Sequence, residues 1–463
     1  MRPLPLSRIA QWTNGRLLAF GDAGDVLIDA VETDTRTLDA SDGRAALFIA
    51  LKGANFDGHD HVATAAEQGA RAALVSRRVD VPLPQVVVAD TERALAALAA
   101  ALQHARAGKV VGITGSNGKT SVKQLTLAIL GRVGKAYANP GNRNNEIGLP
   151  LAVIDAPDDA DAAIYEMGAG KRDDIAYLTA IVRPDVSLVN NIAPAHLERM
   201  QSLLGIADTK AAIYDVLPHD GVAVINADDA FAPYFAERAH GRRLLRYGLE
   251  ASADVSARDI RLDDETSRFV LATPAGEAEV ALPLAGRHNV ANALAASSIA
   301  LALDVPLATI ADALSTAQPV KGRLVRHRLA NGAILIDDSY NANPGSLNAA
   351  IDTLASASGE NWLVLGDMRE LGEEASMLHA EAGRRAKQAG IARLYALGPL
   401  SAAAVEAFGE GARHFDSHAA LADALRADLH AAVRVLVKGS RGSAMDRIVD
   451  ALLPPQEGEP DAA

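Results

Sequence analysis

Short apolar runs alternate with longer helical patterns along most of the chain. Runs such as 162–165 and 186–189 fit buried strands, and the stretches between such runs carry apolar residues at helical spacing. This alternation predicts an α/β protein with parallel sheets. Between 244 and 282 the apolar period turns to two, which predicts a small antiparallel sheet with strands at 245–247, 268–271 and 279–282.

A glycine-rich segment at 112–121, Gly-Ile-Thr-Gly-Ser-Asn-Gly-Lys-Thr-Ser, lies between an apolar run and a helical pattern. Such a turn points backbone N–H groups and a helix N-terminus at one spot, which suits phosphate. Lys119 would reach the terminal phosphates, and the Thr120 hydroxyl would bind Mg²⁺. The residues predicted to bind the nucleotide here are Gly112, Thr114, Gly115, Ser116, Asn117, Gly118, Lys119, Thr120 and Ser121.

The spacing of this segment departs from the general pattern. G-x-x-x-x-G-K-[ST] requires glycine at position 113, where this chain has isoleucine. A plain glycine-rich turn with a solvated lysine is therefore the alternative interpretation. We favour the phosphate loop because strand, turn, lysine, hydroxyl and helix follow one another in the right order.

Two proline-containing segments, Pro82-Leu83-Pro84 and Pro319 to Arg323, mark boundaries in a chain of 463 residues, which is too long for one hydrophobic core. Beyond the second boundary, strands and helices alternate regularly, as in a doubly wound, Rossmann-like domain. We predict a small N-terminal α/β domain at 1–85, a central P-loop ATPase-like domain with the added antiparallel sheet at 86–318, the Rossmann-like domain at 319–453, and a disordered tail at 454–463.

The composition excludes several classes of function. A formal net charge of −13 argues against general nucleic-acid binding, and the absence of cysteine excludes disulfides, thiolate catalysis and cysteine-bound zinc. The most apolar long stretch, 291–314, is interrupted by polar residues and Pro306, and the N-terminus has no long apolar core. We therefore predict a soluble cytoplasmic protein without a signal peptide or membrane span.

Two ionisable side chains follow strands on the edge where the phosphate loop is expected. Glu166 ends the run at 162–165, and His196 follows the run at 186–189. Together they could complete a Mg²⁺ site beside ATP phosphates, although an imidazole is a less expected Mg²⁺ ligand than an oxygen. A charged strand end and a capping histidine are the simpler interpretation of either residue alone, but the shared edge favours a functional pair.

Further polar clusters follow predicted strands. The loop at 139–148 contains four asparagines, and we expect Asn142 and Asn145 to contact substrate. In the N-terminal domain, the clusters at 33–37 and 52–60 fit anion binding and ordinary turns equally well. In the last domain, we expect ligands at the strand ends that carry Asn341, Lys438, Ser440 and Arg441, and we expect Ser440 and Arg441 to open the final helix.

Several segments together resemble the Mur ligase family: 112–121, 166–169, 190–198, 286–292, Gly322-Arg323 and 337–343. The resemblance covers nearly the whole chain and includes the order of three domains. The spacing of this phosphate loop, with isoleucine at 113, is then the family's own variant of the general pattern. Family members are ATP-dependent amide ligases of peptidoglycan precursor synthesis.

The resemblance implies a reaction and its partners. The segments 165–169, 193–198, 337–344 and 437–441 are most similar to members that join D-alanyl-D-alanine to UDP-N-acetylmuramoyl-tripeptide. The γ-phosphate of ATP would pass to the tripeptide carboxylate, and the dipeptide amine would attack the resulting acyl phosphate. Because the first step places anion against anion, it depends on positive charge and positioning. We expect a monomer.

The resemblance also implies roles for single residues. Lys119, His196 and Lys210 would be catalytic. Two Mg²⁺ sites would use Thr120, Glu166, His196 and Lys210. Lys210 falls where the family carries a lysine carbamylated by CO₂, and the carbamate supplies an oxygen ligand for the second Mg²⁺. Contacts to the nucleotide would come from Asn289, Asn292, Arg323 and Asp338. Contacts to the UDP-sugar would come from Thr35, Arg36, Lys52, Asp57 and His59. Contacts to substrate carboxylates would come from Lys438, Ser440 and Arg441.

Three alternatives stay open. One is a sister ligase that adds a single amino acid. Another is a folylpolyglutamate synthetase, which would not be expected to have the separate N-terminal domain. The third is a nucleotide-binding module without ligase activity, against which the whole set of Mg²⁺-ligand candidates speaks.

Overall fold

The structure is a computed structural model that describes residues 1–19, 25–41, 43–194 and 197–454. The predicted metal ligand His196 lies outside these residues, as does the predicted tail apart from Pro454. Within the described residues, the strands form five sheets, of which three are largely parallel. The predicted fold class, three α/β domains with one small antiparallel sheet, is confirmed.

The N-terminal sheet has the order β2-β7-β6-β5-β4 in the described part of the chain, and its pairs are parallel except β2–β7. Because β7 pairs with β6, this sheet ends at Val87, two residues beyond the predicted 1–85 domain. The elements are β1 Leu4–Pro5, α1 Leu6–Trp12, β2 Arg16–Leu18, β3 Leu27–Ile28, β4 Ala30–Glu32, β5 Ala46–Ile49, α2 Val62–Glu67, β6 Ala72–Val75, β7 Gln85–Val87 and α3 Thr91–His104.

The central sheet is parallel throughout, with the described order β13-β12-β11-β8-β10-β9. Its central strand β8 runs directly into the phosphate loop, and β10 and β11 flank it. The elements are β8 Lys109–Thr114, α4 Lys119–Leu130, β9 Ala136–Ala138, α5 Gly148–Asp155, β10 Ala162–Glu166, α6 Asp174–Val182, β11 Val186–Val189, α7 Leu197–Met200, α8 Leu203–Asp215, β12 Val222–Asn226, α9 Ala232–Arg238 and β13 Arg243–Tyr247.

The small antiparallel sheet consists of β14 Ser256–Leu262, β15 Ser267–Thr273 and β16 Gly276–Leu282, followed by α10 Arg287–Ala302 and α11 Leu307–Ser315. The prediction that 245–247 belongs to it is wrong, because this segment lies in β13 and pairs in parallel with β12. β13 is an edge strand with exposed Arg243 and Arg246 and buried Leu245 and Tyr247. Burial on one face produced the period of two that suggested an antiparallel strand.

The C-terminal sheet has the described order β17-β18-β22-β19-β20-β21 and is parallel except for the edge strand β17. Ser440 and Arg441 do not open the final helix as predicted; Arg441–Ser443 form a 3₁₀ turn and the helix begins at Asp446. The elements are β17 Val325–Arg328, β18 Ile334–Asp338, α12 Pro344–Ala355, β19 Glu360–Gly366, α13 Ala375–Gln388, β20 Arg393–Leu397, α14 Ala402–Phe408, β21 Ala412–Phe415, α15 His418–Asp428, β22 Val433–Lys438 and α16 Asp446–Leu452.

The hydrophobic core connects the first two domains. One cluster of buried side chains extends from the N-terminal sheet through α3 to one face of the central sheet, and a second cluster packs α4 and α10 on the other face. The C-terminal sheet has its own clusters on its two faces. Among the described helices, none is long and apolar enough to cross a membrane.

Candidate active site

The phosphate loop contains two glycines in backbone conformations that favour glycine. Gly115 has φ +146° and Gly118, which precedes α4, has φ +78°. A Cβ atom on Gly118 would lie 2.4 Å from Asn292 Oδ1 and 2.5 Å from Asn190 Nδ2. The turn therefore depends on glycine at 118 both for its backbone and for the close approach of the two amides.

The end of β11 holds this loop in place. The Asn191 carbonyl accepts a hydrogen bond from the Ser116 N–H at 2.8 Å, and Asn191 Oδ1 accepts one from the Asn117 N–H at 2.8 Å. Asn190 Nδ2 donates to the Asn117 carbonyl at 2.9 Å and to Asn292 Oδ1 at 3.2 Å. These bonds tie the loop to β11 and α10.

Lys119 is folded back over the loop. Its Nζ donates to the Gly115 carbonyl at 2.8 Å. Burial lowers the pKa of Lys119; the negative charge of Glu166 opposes this effect and the positive charge of Arg323 adds to it. The ammonium group is thus placed where a bound phosphate would compete for it.

Glu166, at the end of β10, is 3 % exposed and lies beside the loop. Asn144 Nδ2 donates to its Oε1 at 3.0 Å, and the fully buried Lys123 places Nζ 3.2 Å from Oε2. Burial raises the pKa of Glu166, but the charges of Lys123 and Lys119 and two hydrogen bonds outweigh burial, so its pKa is lowered. The side chain is therefore an anion at neutral pH.

The donor set around Glu166 fits Mg²⁺. Its buried Oε2 is ion-paired with Lys123 and accepts no bond of hydrogen-bond geometry from a described residue. Thr120 adds a neighbouring hydroxyl that helps to lower the pKa of this carboxylate. Oxygen donors of this kind are those that Mg²⁺ prefers. Within the described residues, no group of three or more histidine, cysteine, aspartate or glutamate side chains could hold a metal ion.

Lys210 lies on α8 and is 2 % exposed. No hydrogen bond or ion pair joins its amine to another described residue. Burial lowers the pKa of Lys210 well below 10.5, and the positive charge of Lys119 lowers it further. This environment therefore favours the neutral amine over the ammonium form.

A cavity of about 450 Å³ lies between α4, α10 and the C-terminal domain, which is a usual size for a small-molecule site. Lys438 Nζ lies 2.5 Å from Asp338 Oδ2 at its far wall, and both side chains are buried. Seven of the residues predicted to bind nucleotide line it: Asn117, Gly118, Ser121, Asn289, Asn292, Arg323 and Asp338.

A second cavity of about 460 Å³ lies on the other side of the loop and shares Asn117, Gly118, Arg323 and Ser346 with the first. It brings together side chains of the central and C-terminal domains that the sequence indicated separately. These are Lys119, Glu166, Lys210, Asn142, Asn145, Asn341 and Arg441. The phosphate loop thus separates a nucleotide-sized cavity from a polar one.

Four other residues that were predicted to bind nucleotide or substrate form contacts within the protein. Thr120 Oγ1 accepts a hydrogen bond from Arg323 Nη2 at 3.2 Å, and Thr114 Oγ1 donates to the Met167 carbonyl at 2.9 Å. A Cβ atom on Gly112 would meet Met167 Cε, and Ser440 Oγ donates to the Ala342 carbonyl at 3.1 Å. As the structure describes them, these four residues line neither cavity.

The N-terminal candidates take part in local turns. Asp34 accepts from the Arg36 backbone and pairs with its guanidinium, and Thr35 lies in the same 3₁₀ turn. Asp57 caps the next turn and holds His59 Nδ1 at 2.5 Å, while His59 Nε2 accepts from the Ser76 N–H. Lys52 forms a backbone bridge to Asp57. In the described chain these five candidates line neither cavity, so their role in UDP-sugar binding stays a prediction.

Sequence reasoning missed Lys123 and Asn343. Lys123 lies one helical turn after Lys119 on α4 and also donates to the Asn139 carbonyl at 2.8 Å. The spacing of four residues after a phosphate-loop lysine was a signal that the two share a helix face. Asn343 contacts the loop from another domain, and no pattern of spacing indicates such a contact.

The chain belongs to the Mur ligase family. Three family descriptions match it: "Mur ligase family, catalytic domain" at 28–112, "Mur ligase middle domain" at 113–300 and "Mur ligase, glutamate ligase domain" at 322–441. The phosphate loop, Glu166 and Lys210 lie in the middle domain, and Arg323, Asp338 and Arg441 lie in the third.

Particular members of the family match over nearly their whole length. The UDP-N-acetylmuramoyl-tripeptide–D-alanyl-D-alanine ligase of Escherichia coli K12 is 41 % identical over 455 residues, 98 % of this chain and 99 % of the relative. A crystal structure of MurF from Acinetobacter baumannii is 33 % identical, with a TM-score of 0.91 and coverage of 98 % and 99 %. MurF from Thermotoga maritima in complex with ADP is 26 % identical, with a TM-score of 0.81 and coverage of 91 % and 96 %.

Proposed function

We propose that this chain is the ATP-dependent ligase that joins D-alanyl-D-alanine to UDP-N-acetylmuramoyl-tripeptide in peptidoglycan precursor synthesis. The observation that carries the proposal is the phosphate loop between two cavities, one of nucleotide size and one lined by Lys119, Glu166 and Lys210. The printed names of full-length relatives support the choice of substrates, and the ADP complex of a relative supports ATP as the phosphoryl donor.

In the proposed first step, the bond from the γ-phosphorus to the bridging oxygen of ATP breaks and a bond to the tripeptide carboxylate forms. Lys119 and Arg323 reduce the repulsion between the two anions, and the loop N–H groups orient the phosphates. In the second step, the dipeptide amine forms a C–N bond to the acyl carbon, loses a proton and releases inorganic phosphate. Residues of the loop at 139–148 and Arg441 line the second cavity, where they would orient the peptide substrates.

Glu166 and Thr120 would hold one Mg²⁺, and Lys210 and His196 would contribute to a second. When bound, these ions would supply charge neutralisation on the transferred phosphoryl group. Lys123 keeps Glu166 ionised and fixed before any metal binds, because Lys123 is itself held by two backbone carbonyls.

We further propose that Lys210 carries a carbamate. The support is a buried amine with lowered pKa, because the neutral amine is the form that reacts with CO₂. The carbamate would place an anionic oxygen ligand where the amine was. The Lys210→Ala variant should lose most activity and recover part of it with short carboxylates such as acetate. Full activity of this variant without added carboxylate would remove Lys210 from the reaction.

The proposal includes a cytoplasmic enzyme, since ATP is the phosphoryl donor, and a monomeric one. The decisive experiment incubates the protein with MgATP, UDP-N-acetylmuramoyl-tripeptide and either D-alanyl-D-alanine or single amino acids. Phosphate release and a product of the expected mass should require the dipeptide. Turnover with a single amino acid alone would instead identify a sister ligase, and turnover with a folate substrate would identify a folylpolyglutamate synthetase.

A further inference from the structure

Asn343 connects the C-terminal domain to the phosphate loop. It is the N-cap of α12, where its Oδ1 accepts from the Ser346 N–H at 2.9 Å and its own N–H donates to Ser346 Oγ at 3.1 Å. Its Nδ2 donates to Asn117 Oδ1 at 2.7 Å, across 226 residues of sequence. The side chain therefore makes a helix cap and an interdomain contact at once.

The backbone of Asn117 is fully hydrogen-bonded to the two asparagines that follow β11. Its N–H donates to Asn191 Oδ1, and its carbonyl accepts from Asn190 Nδ2 and Asn191 Nδ2. Its side-chain oxygen is thus left for Asn343, although a phosphate-loop asparagine would be expected to serve the nucleotide. The start of α12 is close to the loop here, because a Cβ on Gly345 would lie 3.4 Å from Asn117 Nδ2.

We propose that the Asn117–Asn343 hydrogen bond is a contact through which the C-terminal domain positions the phosphate loop for transfer, beside the Arg323–Thr120 hydrogen bond, which makes both asparagines positioning residues. The inference rests on the proposed function. Asn117 and Ser346 line both cavities, so this bond lies where nucleotide and acceptor meet. Asn343 lines only the second cavity, so removing its amide should slow turnover more than it weakens ADP binding.

Two substitutions isolate the bond. Asn343→Ser keeps an oxygen that can cap α12 but removes the amide donor, and Asn117→Ala removes the acceptor. With all substrates saturating, kcat should fall about three- to tenfold in each variant, as expected for one neutral hydrogen bond. The double variant should be no slower than the slower single variant, and the Kd for ADP should stay at the wild-type value in Asn343→Ser, because Asn343 does not line the nucleotide-sized cavity. Asn348→Ala, one turn further along α12 beside α13, is the matched control and should behave as wild type.

Multiplicative losses of kcat in the double variant, or a loss of ADP affinity in Asn343→Ser parallel to its loss of kcat, would overturn the proposal. Small-angle X-ray scattering supplies a readout that needs no turnover: each variant should have a larger radius of gyration than the wild type. Equal radii would contradict the contact. If the wild type were inactive on the proposed substrates, the proposed function would fail while the scattering and ADP measurements would still decide this inference.

Discussion

At the scale of single residues, Lys210 is the side chain whose environment differs most from that of an ordinary lysine. It is buried beside Lys119, and its pKa is lowered well below 10.5 mainly by burial. In the unfolded chain the same amine is protonated at neutral pH. Folding therefore favours the neutral form of this amine, and the stability of the protein depends on pH.

The sign of this dependence follows from proton counting. Between the lowered folded pKa and 10.5, the unfolded state binds one more proton than the folded state, so stability rises with pH in this window. The free energy of unfolding should rise by about 1.4 kcal/mol per pH unit more in the wild type than in Lys210→Met. Urea unfolding in CO₂-free buffer at several pH values measures both slopes.

The exposed lysine Lys321 supplies the control for this experiment, and Lys321→Met should have the wild-type slope. Added bicarbonate should raise the stability of the wild type but not that of Lys210→Met if the amine is carbamylated, because only the folded state would carry the carbamate. The wild-type slope should persist, because the unfolded amine still binds a proton that the carbamate lacks. Identical slopes for wild type and Lys210→Met would show that Lys210 keeps an ordinary pKa.

At the scale of secondary-structure elements, the sequence predicted most strands and the residues at their ends. The apolar run at 162–165 is buried on both faces, so its assignment as a strand could be made from its local composition alone. Glu166 could be placed at the sheet edge because its strand and the phosphate-loop strand are parallel neighbours. This is why the edge that carries the candidate site was predictable from the sequence.

Elements at sheet edges were harder to predict, and β13 is the clearest example. One exposed face gives an edge strand of a parallel sheet the same period as an antiparallel strand, so pattern alone cannot separate them. Side-chain partners such as Lys123 and Asn343 depend on which helix faces which loop. That information comes from packing and not from spacing.

At the scale of the whole molecule, a second contact joins the central and C-terminal domains far from the site. The turn between β14 and β15 places Asp264 Oδ2 2.6 Å from Arg434 Nη2 near the beginning of β22, whereas the site lies beyond the end of that strand. Arg326 also lies close, and burial lowers its pKa while the charge of Asp264 opposes this effect. The two domains are therefore held at both ends of the C-terminal sheet.

Breaking this distant contact should loosen the domain arrangement without altering the chemistry. Asp264→Ala leaves Arg434 half-buried with its counter-charge removed, at a cost of about 1 kcal/mol for a partly exposed pair. The radius of gyration should increase at low salt, and the difference from wild type should shrink as salt screens the pair. Glu277→Ala is the matched control, because it removes the Arg258–Glu277 pair within the same small sheet and crosses no domain boundary. Equal scattering curves for Asp264→Ala and wild type would show that the contacts around the phosphate loop alone hold the domains together.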